Sequence, residues 1–322
     1  MVRRLVSWAL AAALAIPFAS AAQAKWPEKP IRLILPFGPG GVADVTSRLL
    51  ADKLGDKLGQ RVVVENQPGP GGIGAAKTVT SAAPDGYTLG LVTNGTAITV
   101  ATFKTLPFDP VKDFELISTI GEFDLVFVTS SKSKYKTLGD FLKEARANPG
   151  KLNVGTIIVG STQNLGAELF RLTADLKVTV VPFKNSPDLV VSTIREDMQL
   201  LIDFPPAVRG QVESGDLKIL ASSSPQRSPL NKDIPTVAES GVPGYEVTSW
   251  NAIGAPKGTP KEVIDTLRAA IKDVLATDEI KQAFAKVGVE AKSSSSEELM
   301  KRLQDDIKKW NAVIDKAGIE RK

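Results

Sequence analysis

The sequence predicts an α/β protein of two lobes, each a mostly parallel sheet flanked by helices, with two crossing strands as the hinge. Three observations support this fold class. Short apolar runs of strand length alternate with segments whose apolar residues recur at helical spacing. Glycine-rich turns join strands to helices, as expected for a parallel sheet covered by helices. With 322 residues, the chain is longer than one average domain requires.

The first lobe is predicted to begin with a strand, a glycine turn and a long helix. The strand covers Ile31 to Leu35, and the helix runs from about Val42 to Leu58, where Gly59 ends it. A second buried strand is expected at Val62 to Val64, and a third at Tyr87 to Thr93. This order of elements predicts a parallel sheet.

The same alternation recurs from about residue 130 to residue 245 and predicts the second lobe. The chain is expected to leave the first lobe along Leu125 to Thr129 and to return along Glu246 to Ala255. We therefore predict that lobe 1 comprises residues 25–125 and 249–322, and lobe 2 residues 126–248. The strands and the helix expected in lobe 2 are Val154 to Ile158, Leu165 to Leu172 (the helix), Val178 to Val181 and Leu200 to Ile202.

The C-terminal part of the chain is predicted to be helical. Thr259 is expected to cap one helix with Pro260 at its first position. The run from Ser295 to Glu298 resembles a capping box. The last helix carries an apolar stripe, which we interpret as core packing rather than a partner surface: Leu299, Leu303, Ile307, Trp310 and Ile314.

The N-terminus has the three parts of an export signal. Arg3 and Arg4 form a positive end, Leu5 to Phe18 is apolar, and Ala22-Gln23-Ala24 is a small-residue cleavage pattern. We expect the mature chain to start at Lys25 and to reside in the periplasm. No later apolar stretch has the length of a membrane span, so no membrane insertion is expected once the signal is removed.

Composition excludes several kinds of chemistry. The chain has no histidine and no cysteine, which excludes Ser-His-Asp and Cys-His catalysis and zinc sites built on those ligands. Without residues 1–24, 38 basic and 36 acidic side chains remain, because that segment holds two arginines and no carboxylates. This near balance gives no indication of nucleic-acid binding, and no cofactor is expected.

The turn after the first strand is the most informative feature. Gly40 and Gly41 let the backbone approach another group closely, and the next helix presents unpaired N–H groups and a partial positive charge. A carboxylate or phosphate fits there without a cationic side chain. Asp44 would compete with such an anion unless it turned aside, and it could instead interact with the helix dipole. A plain tight turn remains the alternative.

Polar residues at three other strand ends are further candidates. Asn94 and Thr96 follow the third strand and could bond a ligand oxygen or form a polar turn. In lobe 2, Gly160 to Asn164 opens a helix, where Ser161 or Thr162 could cap the helix, contact a ligand or do both. If this loop faces Gly41 across a cleft, both lobes would hold a ligand with an acid group at each end.

Three remaining features are less specific. Gly69, Gly71 and Gly74 match G-x-G-x-x-G, but the acidic residue expected about 20 positions later in a dinucleotide site is absent. Lys184 is expected to be solvated. Asp203 could bond a ligand hydroxyl or amine, or fix the adjacent loop.

An ordered set of motifs resembles one known family. The chain is similar, from about residue 26 to its C-terminus, to the Bug-type periplasmic receptors of tripartite tricarboxylate transporters. Phe183 and Asn185 depart from the Tyr and Gly that are frequent in the family. The motifs are Pro36-Phe37-x-Pro39-Gly40-Gly41-x-x-Asp44, Val64-Glu65-Asn66-x-Pro68-Gly69, Pro84-Asp85-Gly86-Tyr87, Val181-Pro182-Phe183-Lys184, Pro235-Thr236-Val237-Ala238-Glu239 and Pro243-Gly244-Tyr245.

The resemblance implies a two-lobed, type II-like periplasmic binding protein that is not an enzyme. It implies a small carboxylate ligand, either a dicarboxylate or an aromatic acid, held by main-chain N–H groups and water. It also implies a monomer that serves membrane permease subunits. Two alternatives stay open: a receptor that signals to a membrane kinase, and a lyase using Lys184 and Asp203. The ligand-binding residues expected by position are Phe37, Gly40, Gly41, Asn94, Thr96, Ser161, Thr162, Gln163 and Asp203.

Overall fold

The computed structural model of the chain describes residues 26–322. The predicted export signal and the start of the mature chain at Lys25 therefore lie outside the described residues. Within residues 26–322, none of the helices has both the length and the apolar character needed to cross a bilayer.

Strands and helices alternate along most of the described chain, and a short 3-10 turn at Pro70–Gly72 precedes the second helix. In chain order the elements are β1 (Ile31–Leu35), α1 (Val42–Leu58), β2 (Val62–Asn66), α2 (Ile73–Thr80), β3 (Thr88–Thr93), α3 (Asn94–Thr102), β4 (Phe114–Asp124), β5 (Val126–Ser130), α4 (Leu138–Ala147), β6 (Asn153–Ile157), α5 (Thr162–Thr173), β7 (Thr179–Phe183), α6 (Ser186–Ile194), β8 (Leu200–Asp203), α7 (Pro205–Glu213), β9 (Leu217–Ser222), β10 (Thr248–Pro256), α8 (Lys261–Ala276), α9 (Asp278–Ala285), β11 (Glu290–Ala291) and α10 (Ser296–Ala317).

The strands form two sheets, and this confirms the predicted two-lobed α/β fold. The first sheet has the order β11-β4-β10-β3-β1-β2 and the second β7-β6-β8-β5-β9. The β1-β2, β1-β3, β6-β7 and β6-β8 pairs are parallel, whereas the pairs made by β4, β5 and β10 are antiparallel. Both sheets are therefore mixed rather than mostly parallel as predicted, because the strands at the hinge run against the strand-helix-strand units. The boundaries at 125/126 and 248/249 remain our proposed division into lobes.

Local sequence explains where several helices begin and end. Helix α1 has the predicted bounds and ends at Gly59, whose φ of 72° is the left-handed conformation that glycine adopts readily. Helix α10 begins with the predicted capping box between Ser295 and Glu298. The cap predicted at Thr259 is wrong: α8 has Pro260 as its N-cap, and the Thr259 hydroxyl donates to the carbonyl of Pro256 at 2.8 Å.

Two short segments connect the lobes, and one serine bonds to both. At the first crossing, the N–H of Leu125 donates to Ser223 Oγ at 2.8 Å, and the N–H of Ser223 donates to the Leu125 carbonyl at 2.9 Å. At the second crossing, the N–H of Val247 donates to the Ser223 carbonyl at 2.8 Å, and the Ser223 hydroxyl donates to the Val247 carbonyl. The fully buried Ser223 therefore links the two connections of the hinge.

A continuous apolar core runs through both lobes on the side of α3, α5 and α10. The stripe on α10 is buried there, since Leu299, Leu303, Trp310 and Ile314 are each at most 1% exposed. The Tyr245 hydroxyl donates to the Gly166 carbonyl at 3.1 Å inside the same core. The stripe is core packing, as predicted, and it fixes α3 beside α5.

Candidate ligand-binding cleft

A cavity of about 670 Å³ lies between the two lobes. Elements of both sheets contribute to it: the turn before α1 and the start of α3 from one lobe, and the turn before α5 from the other. Six of the residues predicted to bind a ligand line this cavity: Phe37, Gly41, Thr96, Ser161, Thr162 and Gln163.

The turn before α1 presents a bare helix N-terminus. Gly40 has a φ of 87°, a conformation that favours glycine, and its N–H donates to Asp44 Oδ2 at 2.9 Å. Gly41 is the N-cap, with φ −78° and ψ 169°, and no side chain caps the helix. The N–H groups of the first helical turn have no intrahelical partner, so this turn offers main-chain donors to a ligand.

The turn before α5 repeats this geometry in the other lobe. Gly160 has a φ of 84°, and its N–H donates to Asn164 Oδ1 at 3.1 Å. Ser161 is the N-cap, with φ −76° and ψ 163°, and its hydroxyl accepts from the N–H of Asn164. In both turns, the N–H of a left-handed glycine is therefore bonded to the side chain four residues later. The next residue is the N-cap of a helix whose N-terminus lies at the cleft.

The two turns differ in charge. Burial alone would raise the pKa of Asp44, but hydrogen bonds from Arg48, from the Gly40 N–H and from Asn66 outweigh it and hold that pKa below its ordinary value. This favours the ionised carboxylate, whose Oδ1 accepts from Arg48 at 3.0 Å and from Asn66 at 2.9 Å. In lobe 2 the neutral Asn164 has the equivalent place.

Three predicted ligand residues do not line the cavity. The N–H of Gly40 is bonded to Asp44, as described above. Asn94 is fully buried: its amide donates to Thr162 Oγ1 at 3.0 Å and accepts from Trp310 Nε1 at 2.8 Å. It also starts α3 rather than following β3 as a loop, because the Thr93 N–H bonds to the Thr96 hydroxyl at 3.1 Å and closes the first turn.

Asp203 is also buried away from the cavity, at 1% exposure. Its carboxylate accepts from Gln163 Nε2 at 2.9 Å, from the N–H of Phe204 at 2.7 Å and from the Ser186 hydroxyl. The aspartate therefore holds a cleft residue from behind. Lys184 is exposed and is not among the residues that line the cleft.

Several cleft residues were not predicted from the sequence. Phe123 of β4 and Phe204 of the other lobe lie 4.9 Å apart between ring centroids and both line the cavity. Ile158 and Val159, next to the lobe 2 turn, are 58% and 47% exposed. Ser249 and Asn251 reach the cleft from β10. In the sequence, the signal that could have marked Ile158 and Val159 is that these two apolar residues directly precede the glycine-serine turn.

The cleft is poor in cationic side chains. Among the cavity-lining residues within 26–322, Lys322 is the only basic one, and its N–H is bonded to Thr102 at the C-terminal end of α3. The second glycine turn also lines the cavity through Gly69, Gly71 and Gly72. Main-chain N–H groups are thus the principal positive groups that the two facing turns present.

Two α/β lobes joined by paired crossings, with a cleft lined by a helix N-terminus from each lobe, define a solute-binding protein. Comparison with known families agrees with this class. The model of the tripartite tricarboxylate transporter family receptor matches residues 46–319. The chain belongs to this receptor family.

Individual relatives are similar over most of their length. Protein BugT of Bordetella pertussis is 33% identical over 299 residues, covering 92% of either chain. The structure of Rpa4515 from R. palustris with adipate has 32% identity and a TM-score of 0.77, covering 92% of this chain and 100% of the other. MatC from Rhodopseudomonas palustris with bound malate has 27% identity and a TM-score of 0.73, covering 90% and 100%.

Proposed function

We propose that the chain is an exported receptor that captures a small dicarboxylate in the periplasm and delivers it to the membrane permease of a tripartite tricarboxylate transporter. The observation that carries this proposal is the pair of matched turns. Gly41 and Ser161 begin two helices, one in each lobe, whose free N–H groups line the same cavity. Two such helix starts offer two anion sites.

Helix N-termini suit reversible capture of an anion. Their N–H groups and the helix macrodipole stabilise a carboxylate without placing a second full charge in the cleft. A ligand held by both lobes makes all its contacts only when the lobes are closed, so binding shifts the population toward the closed form. The permease would recognise that form.

The relatives and the cleft wall support the ligand class. Rpa4515 was solved with adipate and MatC with malate, and both ligands are dicarboxylates. An aromatic acid is a second candidate, because the Phe123 and Phe204 rings line the cavity and would contact an aromatic body.

We infer that three of the predicted ligand residues act through their neighbours. Gly40 shapes the lobe 1 turn through its bond to Asp44. Asn94 bonds Thr162, and Asp203 bonds Gln163, and both of those partners line the cleft. Ligand contact is therefore assigned to the remaining residues of the predicted set.

Calorimetry with Gly41→Val tests the proposed site. A Cβ atom added at Gly41 meets no atom beyond its chain neighbours within 4 Å, and its φ of −78° suits any residue, so we expect the variant to fold. The added methyl groups would occupy the approach to the α1 N–H groups. We expect the affinity for adipate or malate to fall by about tenfold or more, which is a loss of about 1.4 kcal/mol.

Gly38→Val is the matched control, since it also meets nothing within 4 Å but does not line the cavity. Full affinity in Gly41→Val would remove the α1 terminus from the site. Mass spectrometry of the periplasmic protein, with Lys25 as its first residue, tests export. Ligand uptake by cells lacking the receptor tests delivery to a permease.

A further inference from the structure

Asn251 has a buried side-chain nitrogen that finds no partner in the part of the chain that the structure describes. Its side chain lies in β10, is 3% exposed and lines the cleft. Within residues 26–322, its Nδ2 has no hydrogen-bond partner. Buried amide groups are almost always paired, so an unpaired one in a cavity wall indicates a partner from outside the chain.

The pairing of β10 with β4 is irregular next to this amide. The register shifts by one residue between Asn251 and Ala252, and the extra residue, Ile120, belongs to β4. Because the extra residue is on β4, the side chains of β10 keep their alternation along the strand. Ser249 lies two residues earlier, on the same face of the strand, and lines the cavity as well.

A third helix N-terminus adjoins the amide. Asn251 pairs with Thr93, the N-cap residue of α3. Thr93, Gly95 and Thr96 all line the cavity. The Thr96 hydroxyl accepts from the Thr93 N–H, which leaves its own proton free for donation. Hydrogen-bond donors therefore converge on the lobe 1 wall of the cleft at a place separate from the α1 turn.

We propose that Asn251 determines specificity by donating a hydrogen bond to a ligand oxygen at the start of α3. This rests on the proposed function of the cleft and narrows its ligand class. The ligand is an acid with a further acceptor oxygen on the lobe 1 side, which belongs either to a second carboxylate or to a hydroxyl or oxo substituent. A purely hydrocarbon acid would close the cleft over an unpaired amide, and that is unfavourable.

Asn251→Leu tests this assignment by calorimetry with two matched pairs of acids. Adipate and hexanoate differ in a second carboxylate, and malate and succinate differ in a hydroxyl. We expect the variant to bind the oxygen-bearing member of one pair about tenfold more weakly, with less than about threefold change for its partner. The pair that responds identifies the source of the oxygen.

Thermal unfolding of the ligand-free protein separates recognition from structure. Because the amide has no partner in the described chain, replacing it by an apolar group of similar size should leave Tm unchanged or raise it. Asn251→Thr keeps a hydroxyl donor in a residue suited to a strand, and it should recover part of the lost affinity.

Each result has a distinct meaning. If Asn251→Leu binds each acid as tightly as the unaltered protein does, the role of Asn251 is overturned while the proposed function of the cleft stands. A lower Tm, or a variant that does not fold, would show that the amide is structural and would also overturn it. If the unaltered protein binds none of the acids, the proposed function fails as well.

Discussion

The side-chain amide of Asn94 donates a 3.0 Å hydrogen bond to the hydroxyl of Thr162, and this bond joins the two lobes beside the cleft. Asn94 is fully buried at the start of α3, where Trp310 Nε1 bonds its amide oxygen. Thr162 is the first residue of α5 and lines the cavity. The bond therefore connects the hydrophobic core of one lobe to the turn of the other for which we propose anion binding.

Thr162→Val is expected to weaken ligand binding through this bond. The variant keeps the shape and the main-chain N–H of Thr162 but leaves the Asn94 amide without its acceptor. An unsatisfied buried donor costs about 1–3 kcal/mol, so the apparent Kd should rise by between about fivefold and a hundredfold. Calorimetry measures Kd, and Thr173→Val in the exposed last turn of α5 is the control. An unchanged Kd with a lower Tm would show that the bond does not depend on closure.

Asp44→Asn is expected to strengthen anion binding. The single acceptor oxygen of asparagine can keep the Gly40 N–H, as Asn164 does for Gly160 in lobe 2, whereas the bonds from Arg48 and Asn66 to Oδ1 are lost. Removing a negative charge from the first turn of α1 favours a bound anion by about 0.3–1 kcal/mol, which is roughly a two- to fivefold gain. The gain should shrink as salt is added, because salt screens the charge. Weaker binding at every salt concentration would contradict this account.

The same variant should change how stability depends on pH. The pKa of Asp44 is lowered in the folded protein. Its contribution to the free energy of unfolding is therefore present above its ordinary pKa and is lost as the pH falls through the folded value. Tm measured against pH should show the unaltered protein losing stability at acid pH more steeply than Asp44→Asn.

Asp203→Ala is expected to lower both stability and affinity. Three donors would lose their acceptor: Gln163 Nε2, the Phe204 N–H and the Ser186 hydroxyl. Hydrogen bonds to charged groups contribute about 1.5–3 kcal/mol each, so Tm should fall by several degrees. With Gln163 no longer held, Kd should rise, and Asp197→Ala on the exposed turn after α6 provides the comparison. A normal Kd would separate Gln163 from the ligand.

Asp124 should make the hinge region less stable as the pH rises. Burial raises the pKa of Asp124 to about 6, with a further rise from Glu122 and Glu290 that the nearby side chains of Thr248 and Ser224 only partly oppose. The folded state therefore binds more protons than the unfolded state between about pH 4 and pH 6, and stability falls as pH rises across that range. The stability lost above that range is on the order of 3 kcal/mol.

Asp124→Asn removes this penalty, so its Tm should exceed that of the unaltered protein above the folded pKa and match it near the ordinary carboxyl pKa. Differential scanning calorimetry across this range is the measurement, with Asp56→Asn on the exposed side of α1 as the control. A Tm difference that does not change with pH would show that ionisation of Asp124 is not its cause.

Local chemistry made much of the fold predictable. The bounds of α1 follow from its apolar spacing and from Gly59, and the capping box of α10 follows from four consecutive residues. Strand β4, which spans Phe114–Asp124, was not predicted, because its partners β10 and β11 come more than a hundred residues later in the chain. Pairing over such a separation leaves no local pattern.

The site was predictable only where its chemistry is local. Gly41 and Ser161 were found because a glycine or serine directly before a helical pattern indicates a helix N-terminus, and both residues are N-caps in the structure. Asn94 was predicted as a ligand contact, whereas its amide is bonded to Thr162, which is 68 positions away. Asn251 could not be singled out, because the signal is a buried side-chain nitrogen without a hydrogen-bond partner within residues 26–322, and only the folded structure shows this.

The bonding of Ser223 to both connections has a mechanical consequence. Two independent linkers would allow the lobes to move in several directions. Here Leu125 and Val247 are both hydrogen-bonded to the same buried residue, Ser223. We expect the lobes to rotate relative to each other about a single hinge axis through this residue. One distance, measured between a surface site on each lobe at the rim of the cleft, would then distinguish the open form from the closed form and so report whether ligand is bound.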